Sequence, residues 1–476
     1  MRTARPVGAA ALATTMLGAG LALLAVPASA QAPITCQGKT ATVVGTTGTE
    51  GDDVMVVVPI EGTTAQALGG NDTICIVAAP EDGTRSVVVD AGPGNDTVVN
   101  ESADVDDVWY TAILGTGADS YVGLDAVIRD DASASPFDET VFAGVRDLTG
   151  SLGGQLDVDT DVIDTRGGND VVHSGTTAPG ATNNDTIALG TGNDTLHWTG
   201  EQRSGTVDLG DGENALHLGP GWQGASATVS GPASAALLDG RSVLRWTGPV
   251  SRYDLRLDTR DQVFAGTNAD ETLVLARAST QSSAETVSGR RVVEMGGGDD
   301  VLALYFMGTG RVTGGPGRDS YSGDGCTTAA VRIGGSFDCL QAGASALQHT
   351  FDFDDFEDLL LQGGDVTVRG SAADEKIKVV ASKRIAIRGR AGDDVLNANV
   401  SGRIRGVGRV VLSGGAGADR LVGSGAEDRL LGGRGDDKLF GEGRGDTLVG
   451  GPGRDRTFGQ QGRDRCSGEV QRSCER

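Results

Sequence analysis

Near the end of this chain, apolar and polar positions recur every nine residues, a period belonging to neither a helix nor a simple half-buried strand. Written in nines from Gly414 to Ser467, the rows are GGAGADRLV, GSGAEDRLL, GGRGDDKLF, GEGRGDTLV, GGPGRDRTF and GQQGRDRCS. Glycine opens every row: Gly414, Gly423, Gly432, Gly441, Gly450 and Gly459. Aspartate holds the sixth place in every row: Asp419, Asp428, Asp437, Asp446, Asp455 and Asp464. The eighth place carries Leu421, Leu430, Leu439 and Leu448, then Thr457 and Cys466. The pattern predicts a glycine turn followed by a three-residue strand whose central side chain enters a narrow core. Glycines at places one, two and four are expected to supply the positive-φ conformations that other residues resist.

The same Gly-x-Asp core recurs singly upstream, ending at Asp72, Asp96, Asp119, Asp170, Asp194, Asp300, Asp319 and Asp394. The first three of these aspartates lie 24 and 23 residues apart, and Asp170 lies 24 before Asp194. That spacing predicts one coil of a larger parallel solenoid, with strands of about 4–6 residues between turns. The expected class is all-β, a parallel β-solenoid or β-helix whose last part is wound from the tandem nines. The degenerate body spans 31–405, with insertions near 220–262, 277–290 and 322–350, and the tandem roll spans 406–468.

The residue types point to a cation. A turn rich in glycine can aim several carbonyl oxygens at one point, and the sixth-place aspartate adds a charged oxygen. An all-oxygen set suits Ca²⁺ far better than zinc or copper. Two nines make one coil, so a loop stacks on the loop two rows later, and an ion between them is shared, for example, by Asp419 and Asp437. Six rows then hold about four such sites. The rows resemble the hemolysin-type, or RTX, calcium-binding repeat, G-G-x-G-x-D-x-(large apolar)-x. That resemblance implies a parallel β-roll with calcium between coils. It selects as ligands the six aspartates with Gly415, Gly417, Gly433, Gly435, Gly451 and Gly453. Rows two and four depart from it, with Ala426 and Arg444 at the fourth place. Upstream, Asp185 and Asp194, nine apart in DTIALGTGND, form the best additional pair.

Charge and composition narrow the partners. The net charge is −25, yet from residue 380 onward 18 Lys and Arg face 13 Asp and Glu, so the body carries about −30. An acidic surface of that extent excludes nucleic acid and favours cations. With aromatic residues at 4%, the core must be thin and aliphatic. Residues 1–30 read as a secretory signal peptide: Arg2 and Arg5, an apolar run from Ala9 to Val26, then Ala28-Ser29-Ala30 as the cleavage site. No later apolar run reaches the ~20 residues of a membrane span, so the mature chain is expected to be extracellular. Six cysteines fit an oxidising compartment. Proximity suggests Cys36–Cys75, Cys326–Cys339 and Cys466–Cys474, the last closing a cap over 469–476, although six cysteines allow 15 connectivities. The resemblance also implies export by a C-terminal signal in Gram-negative bacteria, which the N-terminal segment replaces here.

Other signals are weaker. Four Asn-Asp-Thr glycosylation matches and two Arg-Gly-Asp tripeptides are by-products of the repeat. His173, His197 and His217 each fall three residues after a sixth place and should stack on one outward face, as a solvated ladder or a transition-metal site. FDFDDFED, Phe351 to Asp358, reads as an edge strand with its phenylalanines inward. His-Glu-x-x-His, Gly-x-Ser-x-Gly and the phosphate-binding P-loop are absent. The expected function is therefore a calcium-binding structural or adhesive protein, with cell-wall or extracellular polysaccharide as a partner. The alternative is a polysaccharide lyase or epimerase on a parallel β-helix.

Overall fold

The computed structural model describes residues 34–474 except 59–61, 78–84, 102–107, 116–118, 123–138, 143–160, 166–168, 176–180, 220–221, 223, 258, 277–288, 306–307, 342–346 and 401–408. Residues 1–30, read above as a signal peptide, lie outside the described residues, as does most of the 277–290 insertion. Every described element is a strand, and no helix among them is long and apolar enough to cross a membrane.

Short strands separated by glycine turns cannot bury a face alone, so each coil lays its strand on the equivalent strand of the coil before it. One face of the N-terminal half stacks Val43–Val44, Val54–Val57, Thr73–Val77, Thr97–Glu101, Ser120–Val122, Val162–Asp164, Thr186–Ala188 and Val207–Asp208, all in parallel. The opposing face runs from Thr63–Gln66 through Thr195–Trp198 and Ala215–Leu218 into the C-terminal half. In the tail the register steps by 18 residues: Leu421 lies beside Leu439 and Leu439 beside Thr457, while on the other face Leu412, Leu430, Leu448 and Cys466 align. Two nines therefore make one coil. The leucines are fully buried, and each contributes about 1.5–3 kcal/mol of hydrophobic stabilisation.

The insertions are narrower than the sequence suggests. Ser226–Ser230 pairs in parallel with Asp261–Ala265 and so belongs to the coil; the excursion is the antiparallel pair Ala235–Leu238 and Arg241–Arg245. Around 322–350 the antiparallel arm of Ser320–Arg332 and Gly335–Gln341 is bridged by Cys326–Cys339. The other two bridges are Cys36–Cys75 and Cys466–Cys474, as proximity suggested. The edge-strand reading of FDFDDFED is corrected. Leu347–Asp354 is paired on both sides, with Thr309–Thr313 and with Gly335–Gln341. Phe351, Phe353 and Phe356 are buried against Tyr321 and Phe337. The core is thus aliphatic in the roll and aromatic where the arm thickens it.

Candidate metal centre

Each sixth-place aspartate is buried, and its two oxygens have different surroundings. In the tail the main-chain N–H of Asp419 donates to Oδ1 of Asp437 (2.9 Å), and that of Asp437 to Oδ1 of Asp455 (3.0 Å). On the opposite face the N–H of Asp428 donates to Asp446 and that of Asp446 to Asp464, both at 2.8 Å. Oδ1 thus fastens each coil to the one before. Oδ2 of Asp419, Asp437, Asp446, Asp455 and Asp464 is buried with no hydrogen-bond partner. A buried carboxylate oxygen left unsatisfied costs free energy unless a proton or a cation meets it. Burial, reinforced by neighbouring carboxylates, pushes Asp419 up to about 7, Asp437 to about 6 and Asp446 to about 8.

The glycines act in two ways, and only one was expected. At places two and four the backbone does adopt positive φ: 134° and 135° at Gly415 and Gly417, 130° and 124° at Gly433 and Gly435, 120° and 149° at Gly451 and Gly453. A Cβ at Gly433 or Gly435 would come within 2.0 Å of the carbonyl oxygen of Gly415 or Gly417, and Gly451 and Gly453 meet Gly433 and Gly435 the same way. These glycines therefore permit stacked carbonyls as well as the turn. Place one is different. Gly414, Gly432 and Gly450 lack positive φ, but a Cβ there would lie 2.0–2.3 Å from Oδ2 of the aspartate in the same row. First-place glycine makes room for the carboxylate.

These residues fit a hard divalent cation. Among the described residues no three His, Cys, Asp or Glu side chains converge on one point, so most oxygens must come from the main chain, with one carboxylate per loop. That is a calcium-type donor set.

Of the pairs expected from sequence, Asp419 and Asp437 are adjacent, as are Asp428 with Asp446, Asp437 with Asp455 and Asp446 with Asp464. Asp185 and Asp194 are not brought together. Asp185 continues the column of Asp161, whereas Asp194 lies between Asp170 and Asn214. Asp185 also accepts a 2.6 Å bond from Ser174 Oγ, which commits its second oxygen. Row two closes differently from the others: Ser424 donates its N–H and Oγ to Asp428. In row four Arg444 takes φ 71° despite its side chain.

Sequence reasoning missed several members. Glu469 accepts from the N–H of Asp455 (2.6 Å) and Glu357 from that of Asp319 (2.8 Å), so glutamates close two columns. Glu271 and Glu375 occupy sixth places in GTNADETLV and GSAADEKIK, rows that the search for Gly-x-Asp passed over. The fifth place also has work: Asn71 accepts from the N–H of Asn95, and Asp436 from that of Arg454, both at 2.9 Å. That use explains the recurring Asn-Asp and Asp-Asp doublets.

The histidines stack as expected, at one register on successive coils, with ring centroids 4.1 and 4.2 Å apart. Asp254 continues the column 3.4 Å from His217 Nδ1, and Arg256 forks onto it. Together they line a cleft of about 330 Å³. Burial, then the adjacent His173 and His217, lower His197 to about 3, so its imidazole is neutral.

A parallel solenoid with columns of buried carboxylates, and with stacked carbonyls where glycine fills places two and four, defines a class of glycine- and aspartate-rich repeat. The particular repeat is the RTX calcium-binding nonapeptide repeat: four copies match, over residues 179–197, 411–439 and 440–471. This chain therefore carries RTX calcium-binding repeats. No curated protein matches it.

Proposed function

We propose that this is a secreted protein whose solenoid is completed by calcium and which serves a structural or adhesive role outside the cell, with polysaccharide as the partner class. The observation that carries the reading is the run of buried, unpartnered Oδ2 atoms at Asp419, Asp437, Asp446, Asp455 and Asp464, with Asp419, Asp437 and Asp455 set beside stacked glycine turns. Those carboxylates, with main-chain carbonyls at places two and four, would hold Ca²⁺, which supplies the positive charge that the buried oxygens lack. The loops exist only in the folded chain, so binding is linked to folding. A site at ten times its dissociation constant adds about 1.4 kcal/mol, and four sites about 6 kcal/mol. Affinities of about 10⁻⁴–10⁻³ M, usual for extracellular modules, suffice. The N-terminal segment and the three disulfides support an extracellular location.

Far-UV circular dichroism during a calcium titration, with magnesium as control, tests this. A calcium-specific gain in β signal or thermal stability, reversed by chelator, is expected. A chain equally folded and equally stable at every calcium level overturns the reading.

One observation supports the carbohydrate-active alternative. In the cleft, His217 is oriented by Asp254 beside Arg256, an arrangement in which an imidazole can serve as general base. Release of unsaturated uronate from acidic polysaccharide, abolished by His217→Ala, would establish it. Retention of polysaccharide without product would favour the adhesive role.

A further inference from the structure

Resting on the calcium reading above, we propose that the residue at place two decides which loops take an ion, and that on this rule a calcium column outside the matched repeats is built on Asp300 and Asp319.

The loops fall into two backbone classes. In one, place two adopts positive φ, as at Gly415, Gly433 and Gly451, and the sixth-place Oδ2 has no partner. In the other, place two is Ser or Thr without positive φ, in the rows GTEGDDVMV, GTNADETLV, GSAADEKIK and GSGAEDRLL. There the place-two N–H turns onto the sixth-place carboxylate of its own loop: Thr49 onto Asp53, Thr267 onto Glu271, Ser371 onto Glu375 and Ser424 onto Asp428. The hydroxyl donates to the same group. Asp53, Glu271 and Asp428 keep no unpartnered buried oxygen, whereas Glu375 keeps one.

Each hydroxyl loop stands at the start of a hydrogen-bonded column. Asp53 leads to Asp72 and Asp96; Glu271 to Asp300, Asp319 and Glu357; Glu375 to Asp394 and Asp419; Asp428 to Asp446 and Asp464. Among the described residues no N–H from an earlier coil reaches the carboxylate of a first coil, and its own loop supplies the donors. The loops of Asp53, Glu271 and Asp428 thus satisfy their carboxylates internally and need no cation, while that of Glu375 does so for one oxygen alone.

The central column has the other class of loop. Asp300 and Asp319 are 1% and 0% exposed, and Oδ2 of each is buried without a partner. Place two and place four are Gly296 and Gly298 in one loop, Gly315 and Gly317 in the next, all with positive φ. A Cβ at Gly315 or Gly317 would lie 1.9 or 1.8 Å from the carbonyl oxygen of Gly296 or Gly298, the carbonyl stack seen in the tail. Residues 314–319, GGPGRD, repeat residues 450–455 letter for letter. The ligand is a hard divalent cation held by these two carboxylates and by main-chain oxygens.

The test is the number of calcium ions bound per full-length chain, by equilibrium dialysis, for the wild type, Asp437→Asn, the double variant Asp300→Asn/Asp319→Asn, and Asp428→Asn. The first two variants should each lose at least one ion, and Asp428→Asn should lose none attributable to its own loop while melting at a lower temperature. If Asp437→Asn loses calcium and the central double variant does not, the central column is refuted and the tail reading stands. If neither loses calcium, the calcium reading falls with it. A loss at Asp428→Asn as large as that at Asp437→Asn overturns the place-two rule. Hydrogen exchange on the wild type guards against misfolded variants: calcium should slow exchange in a peptide covering 314–323, and unchanged exchange there refutes the central column.

Discussion

Gly432→Ala is the substitution on which the geometry speaks most directly. Gly432 lies outside the positive-φ region, so alanine fits its backbone, and removing a glycine from the unfolded chain should stabilise by about 0.4–1 kcal/mol. The new Cβ, however, would sit 2.2 Å from Oδ2 of Asp437 and 2.6 Å from the carbonyl oxygen of Gly450. An ordinary contact needs about 3.4 Å, so the carboxylate must withdraw by about 1 Å. That movement breaks the 2.9 Å bond from the N–H of Asp419 to Oδ1 of Asp437, a charge-assisted bond of about 1.5–3 kcal/mol. Overpacking adds about 1–3 kcal/mol. Relief by local adjustment and the unfolded-chain gain offset part of both, leaving a net loss of about 1–3 kcal/mol. The calcium affinity of that column should fall about tenfold or more, since 1.4 kcal/mol is a factor of ten. Gly425→Ala is the matched control, because a Cβ there meets nothing within 4 Å and φ is not positive. Thermal melts and calcium titrations of both variants form the assay. If Gly432→Ala melts and binds calcium like Gly425→Ala, the account of first-place glycine is wrong.

Further outcomes follow from the same contacts. Asp419, Asp437 and Asp446 are raised to about 7, 6 and 8, so without calcium the folded chain holds protons that the unfolded chain has released. Their contribution to stability should be fully present below about pH 4 and be lost as pH rises through 6–8, with calcium flattening the decline; chelated melts from pH 5 to 8 check the sign. Leu439→Ala, at a fully buried register position, should cost about 2–5 kcal/mol and show as early melting of the roll. Replacing Cys466 and Cys474 by Ser opens a loop with a sequence separation of 8 residues and should cost about 2–3 kcal/mol, read by proteolysis beginning at the C-terminus.

The fold was largely legible because its period is written in residue types with few alternatives. Six aspartates in register, and leucines two places after four of them, leave little choice of coil length in the tail. The 24-residue coils upstream came from the same marker. What escaped was the direction in which each aspartate is used. Nine-residue spacing joined Asp185 to Asp194, yet neighbours within a column lie one full coil apart, and nine residues carry the chain to the opposite face. The glutamates escaped because Glu271, Glu375, Glu357 and Glu469 sit at column ends, where the repeat consensus relaxes. The role of first-place glycine could not be read from the letter alone, since the same residue serves a positive φ at Gly433 and an unhindered carboxylate at Gly432.

The central claim concerns what lies against Oδ2 of the tail aspartates. Crystals of the chain grown in calcium, with anomalous data collected at a wavelength where calcium scatters measurably, address it at the atom. The account predicts anomalous peaks within about 2.3–2.6 Å of Oδ2 of Asp437 and of main-chain carbonyl oxygens in the adjoining glycine loops. Density free of such peaks, with those oxygens met by water or by protein donors, would contradict it.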